Sequence, residues 1–564
     1  MRSGASLQCP AGLQVCHHNH ALPMKPSFFN PLWLALLLGI TLLIALPTLA
    51  VWAAWWQWDA TQQSLMQHLW TTVMPSYTWT SLALCIGVAV GVAALGLGSA
   101  VLVTLFDFPG RQTLAWALLL PMAIPAYVVA YAYTDFFQYS GGLQVALRDW
   151  TGLEGALLPE IRSLGGAMLV FSVTLYPYAY LLVRAALLER ASGTLEAAKL
   201  LGASLTRRIV VIAIPMARPA LAAGLALALM ETLADFGVAS YFGVQSFTAG
   251  IYKAWLVMDD PLAAAQLATL LLLCVLVLLA WEHRAQQKNR YASARANRSS
   301  RENQLHAVHG WAGWALLALG SVPVLLGFVL PSAVLVGLWH TSSEPTPWLS
   351  YGQWAWNTLQ LGLVTAVLAV ALSLAFLATQ RLRGHPLIHG LSRVISVGYA
   401  IPGAVVVIGI LAPLRWFQSV EWVGDVSYWV TSTSLGLIWA YLIRFCAVAM
   451  QTLQSGYARV PASMDEAART LGVSSSRLFR TVHVPLLRNS VVVAGLLVLV
   501  DVMKELPATL VLRPFDADTL AVVAYQLARD ERLGEAALPS LTLVAIGLIP
   551  VIWVSRSLKA AQPD

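Results

Sequence analysis

The chain has 564 residues, of which 58% are hydrophobic and only 11% charged, and its mean hydropathy is +0.69. That balance excludes an ordinary soluble multidomain protein and makes a lipid bilayer the expected solvent. The formal net charge of +7 and the pI near 9.2 do not imply a nucleic-acid partner, because the basic residues follow a topological pattern.

The first 23 residues are polar and contain CHHNH at residues 16–20, with Cys9 upstream. This spacing matches no closed zinc pattern. Residues 1–30 therefore read as a cytoplasmic tail, or as an upstream extension if translation starts at Met24. No signal peptide is expected, because the first apolar run is membrane-length and lacks a small-residue cleavage site.

Spanning a bilayer as a helix takes about 20 apolar residues. Runs of that kind begin near Pro31, Thr80, Thr113, Ser163, Ala217 and Leu262, and again near Trp311, Trp356, Leu387, Thr431, Asn489 and Ala536. They are continuous, whereas a β-barrel needs alternating segments of about 10 residues. The expected fold is an all-α polytopic membrane protein of about twelve helices, in two parallel six-helix repeats. Cys85, Cys274 and Cys446 stand singly within these runs and suggest no disulfide framework.

Residues 282–304 are polar, basic and without apolar periodicity, and read as a flexible linker. The expected units are a first six-helix unit at 31–282, a linker at 283–308, a second six-helix unit at 309–558 and a tail at 559–564. With the N-terminus inside and the helices alternating, most of the 34 Lys and Arg fall on the cytoplasmic side. Both termini are then cytoplasmic, and so are two polar segments at about 190–218 and 461–488.

Those segments are near copies. LEAAKLLGASLTRRIVVIAIP begins at Leu195, and DEAARTLGVSSSRLFRTVHVP begins at Asp465. Aligning Glu196 with Glu466 pairs Ala197 and Ala198 with Ala467 and Ala468, Gly202 with Gly472, and Pro215 with Pro485. Each reads as a helix, a glycine break, a second short helix and a proline where the next membrane helix begins. Ser463 and Glu466 have capping-box spacing, and Thr194 is the expected N-cap of the first copy. Gly202 and Gly472 suit a left-handed C-cap. Ser204, and Ser474 or Ser475, are expected to start the second helix.

The two segments resemble the EAA loop of ABC-importer permeases, and the whole chain resembles a fused permease with two permease units. The resemblance implies that each loop supplies a coupling helix to a cytoplasmic ABC ATPase, two copies in all, with the ten paired residues above as docking residues. Val482 and Val484 depart from the usual pattern, and residues 451–464 are expected to lengthen the approach to the second loop. The phrase AIPAYVVAYAY from Ala123 parallels AIPGAVVVIGI from Ala400, which pairs Pro125 with Pro402. An axis along the membrane normal then puts a passage between the halves.

Extending the loop alignment pairs Glu231 with Asp501 and Asp235 with Glu505. Glu231 is about 20 Å along a helix from Arg218 at 1.5 Å per residue, so these acids belong to the outer half of the membrane. Two readings stand open. One is a ring of four carboxylates at the outward mouth of a passage, suited to a hard cation, with Lys504 the only opposing charge. The other is a set of interfacial anchors or internal ion pairs, such as Lys504 with Asp501.

METLADFG and MKELPATLVLRPFDADTLA are similar to segments of ferric-iron importer permeases, as is FDFPGRQTLAWALLLPMAIPAYVVAYAY. The resemblance implies ATP-driven import of Fe(III) presented by a periplasmic binding protein. Relatives that move thiamine, polyamines or phosphonates share the loop. An ion-coupled secondary transporter would explain the acids but not the paired loops. No GxxxxGK[ST] phosphate loop occurs. The chain is therefore expected to be no enzyme and to bind no cofactor or metal of its own, with ATP and Mg held by the partner ATPase.

Overall fold

The long apolar runs all become helices, since a bilayer core leaves the backbone no hydrogen-bonding partner but itself. The computed structural model describes residues 31–56, 67, 69–188, 192–293, 306–342, 344–383, 386–416 and 420–560. The expectations for residues 1–30, including Cys9, CHHNH and Met24, lie outside the described residues, as do 294–305 of the expected linker and 561–564.

Among the described residues, ten helices are long and apolar enough to cross a membrane. Two further runs, near Thr113 and Leu387, are not straight spans. Helical segments 111–123 and 126–151 meet at 92°, and 386–400 and 403–416 meet at 111°. Pro125 and Pro402 sit at these two corners, in the same place in each half. Proline lacks the N–H that would carry a helix through and pushes the residue before it out of helical geometry. Accordingly Ile124 has ψ 126° and Ile401 has ψ 121°. Counting each bent pair as one span gives twelve.

The first helix of each half lies against the other half. Pro31–Ala53 packs on Gly403–Trp416, where Gly409 leaves room for the backbone of Pro47. Trp33 Nε1 donates to Thr379 Oγ1 at 3.1 Å, and Trp439 Nε1 donates to the Leu43 carbonyl at 3.0 Å. Reciprocally, Gly320 and Gly327 of the second half seat against Leu102, Leu114 and Pro121, and Tyr133 Oη donates to the Leu326 carbonyl at 2.8 Å. A two-residue parallel strand pair, Phe106–Asp107 with His306–Ala307, ties the start of the second half to the first.

The expected flexible linker starts later than its polarity suggests. The helix Pro261–Ser293 runs well past Glu282, because Glu, Arg, Gln and Lys are good helix formers once a helix delivers them.

Candidate functional site

The two repeated segments fold alike. Ser192–Leu200 and Ala462–Thr470 are nine-residue helices, and each follows its preceding membrane helix after nearly the same short gap. The approach to the second segment is therefore not lengthened; residues 451–457 simply continue the helix Ser434–Tyr457. Each nine-residue helix ends on a left-handed glycine, Gly202 at φ 79° and Gly472 at φ 75°. Around them Ala203 N donates to the Ala198 carbonyl at 2.9 Å and Val473 N to the Ala468 carbonyl at 3.0 Å, the six-residue closure of a Schellman turn.

The expected caps form differently. Ser463 lies inside its helix behind Pro461, which is the N-cap without a side-chain bond, so the Ser463–Glu466 capping box is absent. Thr194 likewise lies within Ser192–Leu200. The helices begin three and two residues earlier than N-caps at Thr194 and Ser463 indicate; in the second copy the preset φ of Pro461 opens the helix without a polar cap. Ser204 does cap the second helix, its Oγ accepting from Arg207 N at 3.4 Å. Ser474 is at the same place without a side-chain bond.

Pro215 and Pro485 stand, as expected, in the first turn of the membrane helices Ile214–Ala234 and Val484–Lys504, but the chain does not leave helical geometry before them. The second short helix runs on into the membrane helix, giving spans Leu205–Ala234 and Ser475–Lys504. A widened π-helical turn precedes each proline, at Arg208–Ala213 and Phe479–His483, and it accommodates the missing donor. Glu466 and Ala467 are exposed. Ala197 is exposed and Ala198 half-buried; the side chain of Glu196 lies outside the described residues. Leu200, Leu201 and Leu471 are 89%, 88% and 81% exposed at the glycine turns. The sequence carries a signal for them, since apolar residues beside an obligatory turn mark a docking surface, but it is weak in a chain where leucine is common.

At the far end of the two spans, all four paired acids line one cavity of about 190 Å³ between the halves. Tyr127, Tyr178 and Tyr399 share its wall, with Arg444 and Lys504. Asp235 and Glu505 are not on their helices. They follow the last helical residues, Ala234 and Lys504, and turn back to cap the next short helices. Asp235 Oδ1 accepts from Val238 N at 2.8 Å. Glu505 accepts from Ala508 N and Thr509 N, both at 3.0 Å, and from Thr509 Oγ1 at 2.8 Å.

Lys504 is not the only opposing charge. Arg444 Nη1 donates to Glu505 Oε1 at 2.9 Å, and both side chains are buried. Lys504 instead gives its ammonium to the Met122 carbonyl at 3.1 Å; among the described residues no ion pair joins it to Asp501. The internal ion pair is thus made by Glu505, and with a different base from the one sequence proximity suggested. The same interval that aligns the loops places Thr174 opposite Arg444, so Asp235 has no matching arginine. Among the described residues no group of three or more His, Cys, Asp or Glu side chains is close enough to hold a metal ion at a fixed point. What the cavity offers is four acids and three phenols against two bases, one of which is already engaged.

Comparison with known proteins bears on both regions. The sequence family described as the inner membrane component of binding-protein-dependent transport systems matches residues 93–290 and 371–561. The chain is 24% identical over 545 residues to the Fe(3+)-transport system permease protein FbpB 2 of Haemophilus influenzae, covering 95% of this chain and 99% of that one. It is 22% identical to a probable ABC transporter permease protein of Sinorhizobium fredii, over 86% of this chain and 88% of that one. The molybdenum transport system permease protein ModB of Escherichia coli is 31% identical over 174 residues, 31% of this chain and 71% of the relative.

Proposed function

This chain belongs to the family of binding-protein-dependent transport system inner membrane components, and from that premise we propose that it is the two-unit permease of an ABC importer that moves a hard cation, ferric iron in the first instance. Family membership makes it a multi-pass, non-catalytic membrane component that works with a separate ATPase and a binding protein. In the proposed arrangement one ATPase copy sits beneath each of the two repeated loops. The face with those loops, and both termini, are then cytoplasmic, and the substrate is delivered at the opposite face.

The observation that carries the cation reading is the cavity wall, where Glu231, Asp235, Asp501 and Glu505 outnumber Lys504 and Arg444. Arg444 is committed to Glu505, so an anion would meet one available base against three carboxylates. Carboxylate and phenol oxygens suit a hard cation. The looseness of the arrangement suits transit better than storage, since an ion held by a closed ligand set leaves slowly. The full-length resemblance to a ferric-iron permease points the same way.

Transport then follows alternating access. ATP binding draws the ATPase pair together, the loops carry that movement into the spans Leu205–Ala234 and Ser475–Lys504, and those same spans end at the cavity acids. The test is ATP hydrolysis by the reconstituted complex with binding protein loaded in turn with ferric iron, thiamine or a polyamine. Stimulation by the ferric form alone is the expected result. Stimulation by the thiamine- or polyamine-loaded protein, with none by the ferric form, overturns the iron reading.

A further inference from the structure

A proline corner inside a membrane leaves carbonyl groups without donors, and at the first corner one of them is met by a charge from the other half. In the tight helical turn Leu120–Ala123, Ile124 N donates to the Pro121 carbonyl at 3.2 Å. The next bond of that kind, to the Met122 carbonyl, would come from Pro125, which has no N–H. Lys504 supplies the missing donor from across the passage, its Nζ 3.1 Å from the Met122 oxygen. Gly547 of the last span makes room for it, since a Cβ there would stand 2.7 Å from Lys504 Nζ and 2.1 Å from the Ala123 carbonyl. Tyr127, just past the corner, donates its Oη to the Lys504 carbonyl at 3.3 Å. Unwound backbone at a broken membrane helix is a cation-binding arrangement, and here the cation is the protein's own.

Of the two bases in the cavity wall, Lys504 is the one that can move. Arg444 and Glu505 hold each other, and Glu505 is pinned further by Ala508 N, Thr509 N and Thr509 Oγ1. Among the described residues Lys504 Nζ has one hydrogen-bond acceptor, a neutral one on the opposite half, and it stands on a flexible four-carbon stem. Any movement that parts the halves at the cavity therefore takes Met122 away from Lys504. The acid then within reach on its own helix is Asp501, one turn back on the same face and lining the same cavity. Glu505, which follows Lys504, is already committed to Arg444.

We propose that Lys504 is a tethered counter-cation that sets the cavity's affinity for its cargo. With the halves together its ammonium is parked on the Met122 carbonyl, and Asp501 is left to the cargo. When the halves part, the ammonium moves onto Asp501 and displaces the cargo. A paired acid no longer attracts the ion that has left, so release is favoured over return. The loop alignment puts Ala234 opposite Lys504, which gives the device to one side of the passage. The proposal rests on the cation-permease reading of the chain.

The experiment measures uptake by the full chain and its ATPase in lipid vesicles, fed with ferric-loaded binding protein, with ATP and a fluorescent iron chelator in the lumen. Lys504→Gln keeps a donor for Met122 and removes the charge, while Lys504→Arg keeps the charge. Insertion is not at risk, because an uncharged amide is cheaper in the membrane than an ammonium. Lys504→Gln should lower Vmax and KM together, each roughly tenfold, because slow release of a bound ion reduces both. Lys504→Arg should recover both constants toward wild type. In an Asp501→Asn background Lys504→Gln should have almost no further effect, since the acid that receives the ammonium is gone. A fall in Vmax with KM unchanged marks structural damage and overturns the proposal. So does an arginine variant no better than glutamine, or a full additional loss in the Asp501→Asn background. Ferric uptake by Lys504→Gln with the constants of wild type overturns this proposal alone, whereas no ferric uptake by wild type overturns the cation reading and the proposal with it.

Discussion

Arg415 grips Asp259 with both terminal nitrogens, at 2.6 and 3.0 Å, and Asp259 is held in the left-handed region at φ 52°. The first residue belongs to the second half and the other to the first. A second connection of the same design joins Arg162 to Glu531 at 3.4 Å, with Glu531 at φ 62°. These two acids are the non-glycine residues with positive φ among those described, and each lies just before the last span of its half. Both connections lie on the face away from the repeated loops. A non-glycine residue in this conformation costs on the order of 1 kcal/mol and persists where its surroundings require it. The two ion pairs are therefore placed to hold the halves together on that face.

Arg415→Gln should make Tyr178→Cys, in the cavity wall, react faster with a membrane-impermeant thiol reagent added to that face. Arg162→Gln should have the smaller effect, because its pair is longer and single-pronged. The connection also has a pH signature. The hydrogen bonds from Arg415 hold the Asp259 carboxyl below its usual 3.8. A carboxyl depressed in the folded state contributes at pH above the unfolded value and loses that contribution as pH falls through the folded one. The wild-type rate relative to that of Arg415→Gln at the same pH, a ratio in which the ionisation of the thiol itself cancels, should thus be flat near neutrality and rise only below about pH 4. A rise starting near pH 6 would assign the protection to another group.

Arg444 and Glu505 form a buried pair whose loss should register in stability. Removing one partner of such a pair costs about 3–5 kcal/mol. Glu505 keeps three other donors, from Ala508 and Thr509, which puts Arg444→Leu at the lower end. Melting of the purified chain in detergent should show it as a drop of several degrees. Glu505→Gln should be the milder change, because the amide oxygen still accepts while Arg444 loses its counter-charge. Arg444→Leu melting like wild type would show that the helix-capping bonds alone satisfy Glu505.

Much of this was legible in the sequence, for reasons of period and repetition. The twelve apolar runs correspond one for one to ten straight spans and two bent pairs, because run length is set by bilayer thickness. Gly202 and Gly472 were legible as left-handed because a chain reversal after a short helix favours a residue without Cβ. The corners at Pro125 and Pro402 were seen as a matched pair but not as bends near a right angle, since proline is also tolerated in straight spans. Arg444 was missed because it is 61 residues from Glu505, and a pairing at that separation is made by packing. Ser463 fitted a capping box on spacing alone, yet Pro461 opened the helix first. The polarity of Asp465 marked the loop as leaving the membrane but did not reveal that its carboxylate is buried.

Asp235 and Glu505 are occupied in capping, so in the proposed pathway Glu231 and Asp501 are the acids that meet the cation. A unit charge about 10 Å from one carboxylate gains on the order of 1.7 kcal/mol at an effective dielectric constant of 20. Each of Glu231→Gln and Asp501→Asn should therefore lower cation uptake roughly tenfold by the usual conversion of 1.4 kcal/mol per decade. Stability should change little or rise, because a partly desolvated charge is removed. Uptake by reconstituted vesicles, measured with the melting temperature of each variant, separates the effects. Full uptake in the double variant would remove these acids from the pathway.

The glycine turns give the clearest test of what the repeated loops do. A Cβ at Gly202 or Gly472 would meet nothing within 4 Å, so Gly→Ala there introduces no clash. The only penalty is the left-handed backbone, about 1–2 kcal/mol for a residue with a side chain. Neither turn is part of a membrane span, so melting of the bundle should hardly move. If the turn presents Leu200 and Leu201, or Leu471, to the ATPase, the same penalty should appear as a roughly five- to thirtyfold loss in affinity for that subunit. Asn at either position should lose less than Ala, since it adopts the left-handed region more readily. Titration of the ATPase onto the reconstituted chain measures this directly. The two substitutions should be nearly equal in effect on binding, because the turns are alike. Unaltered affinity in the double Gly→Ala variant would mean that the ATPase contacts the bundle elsewhere.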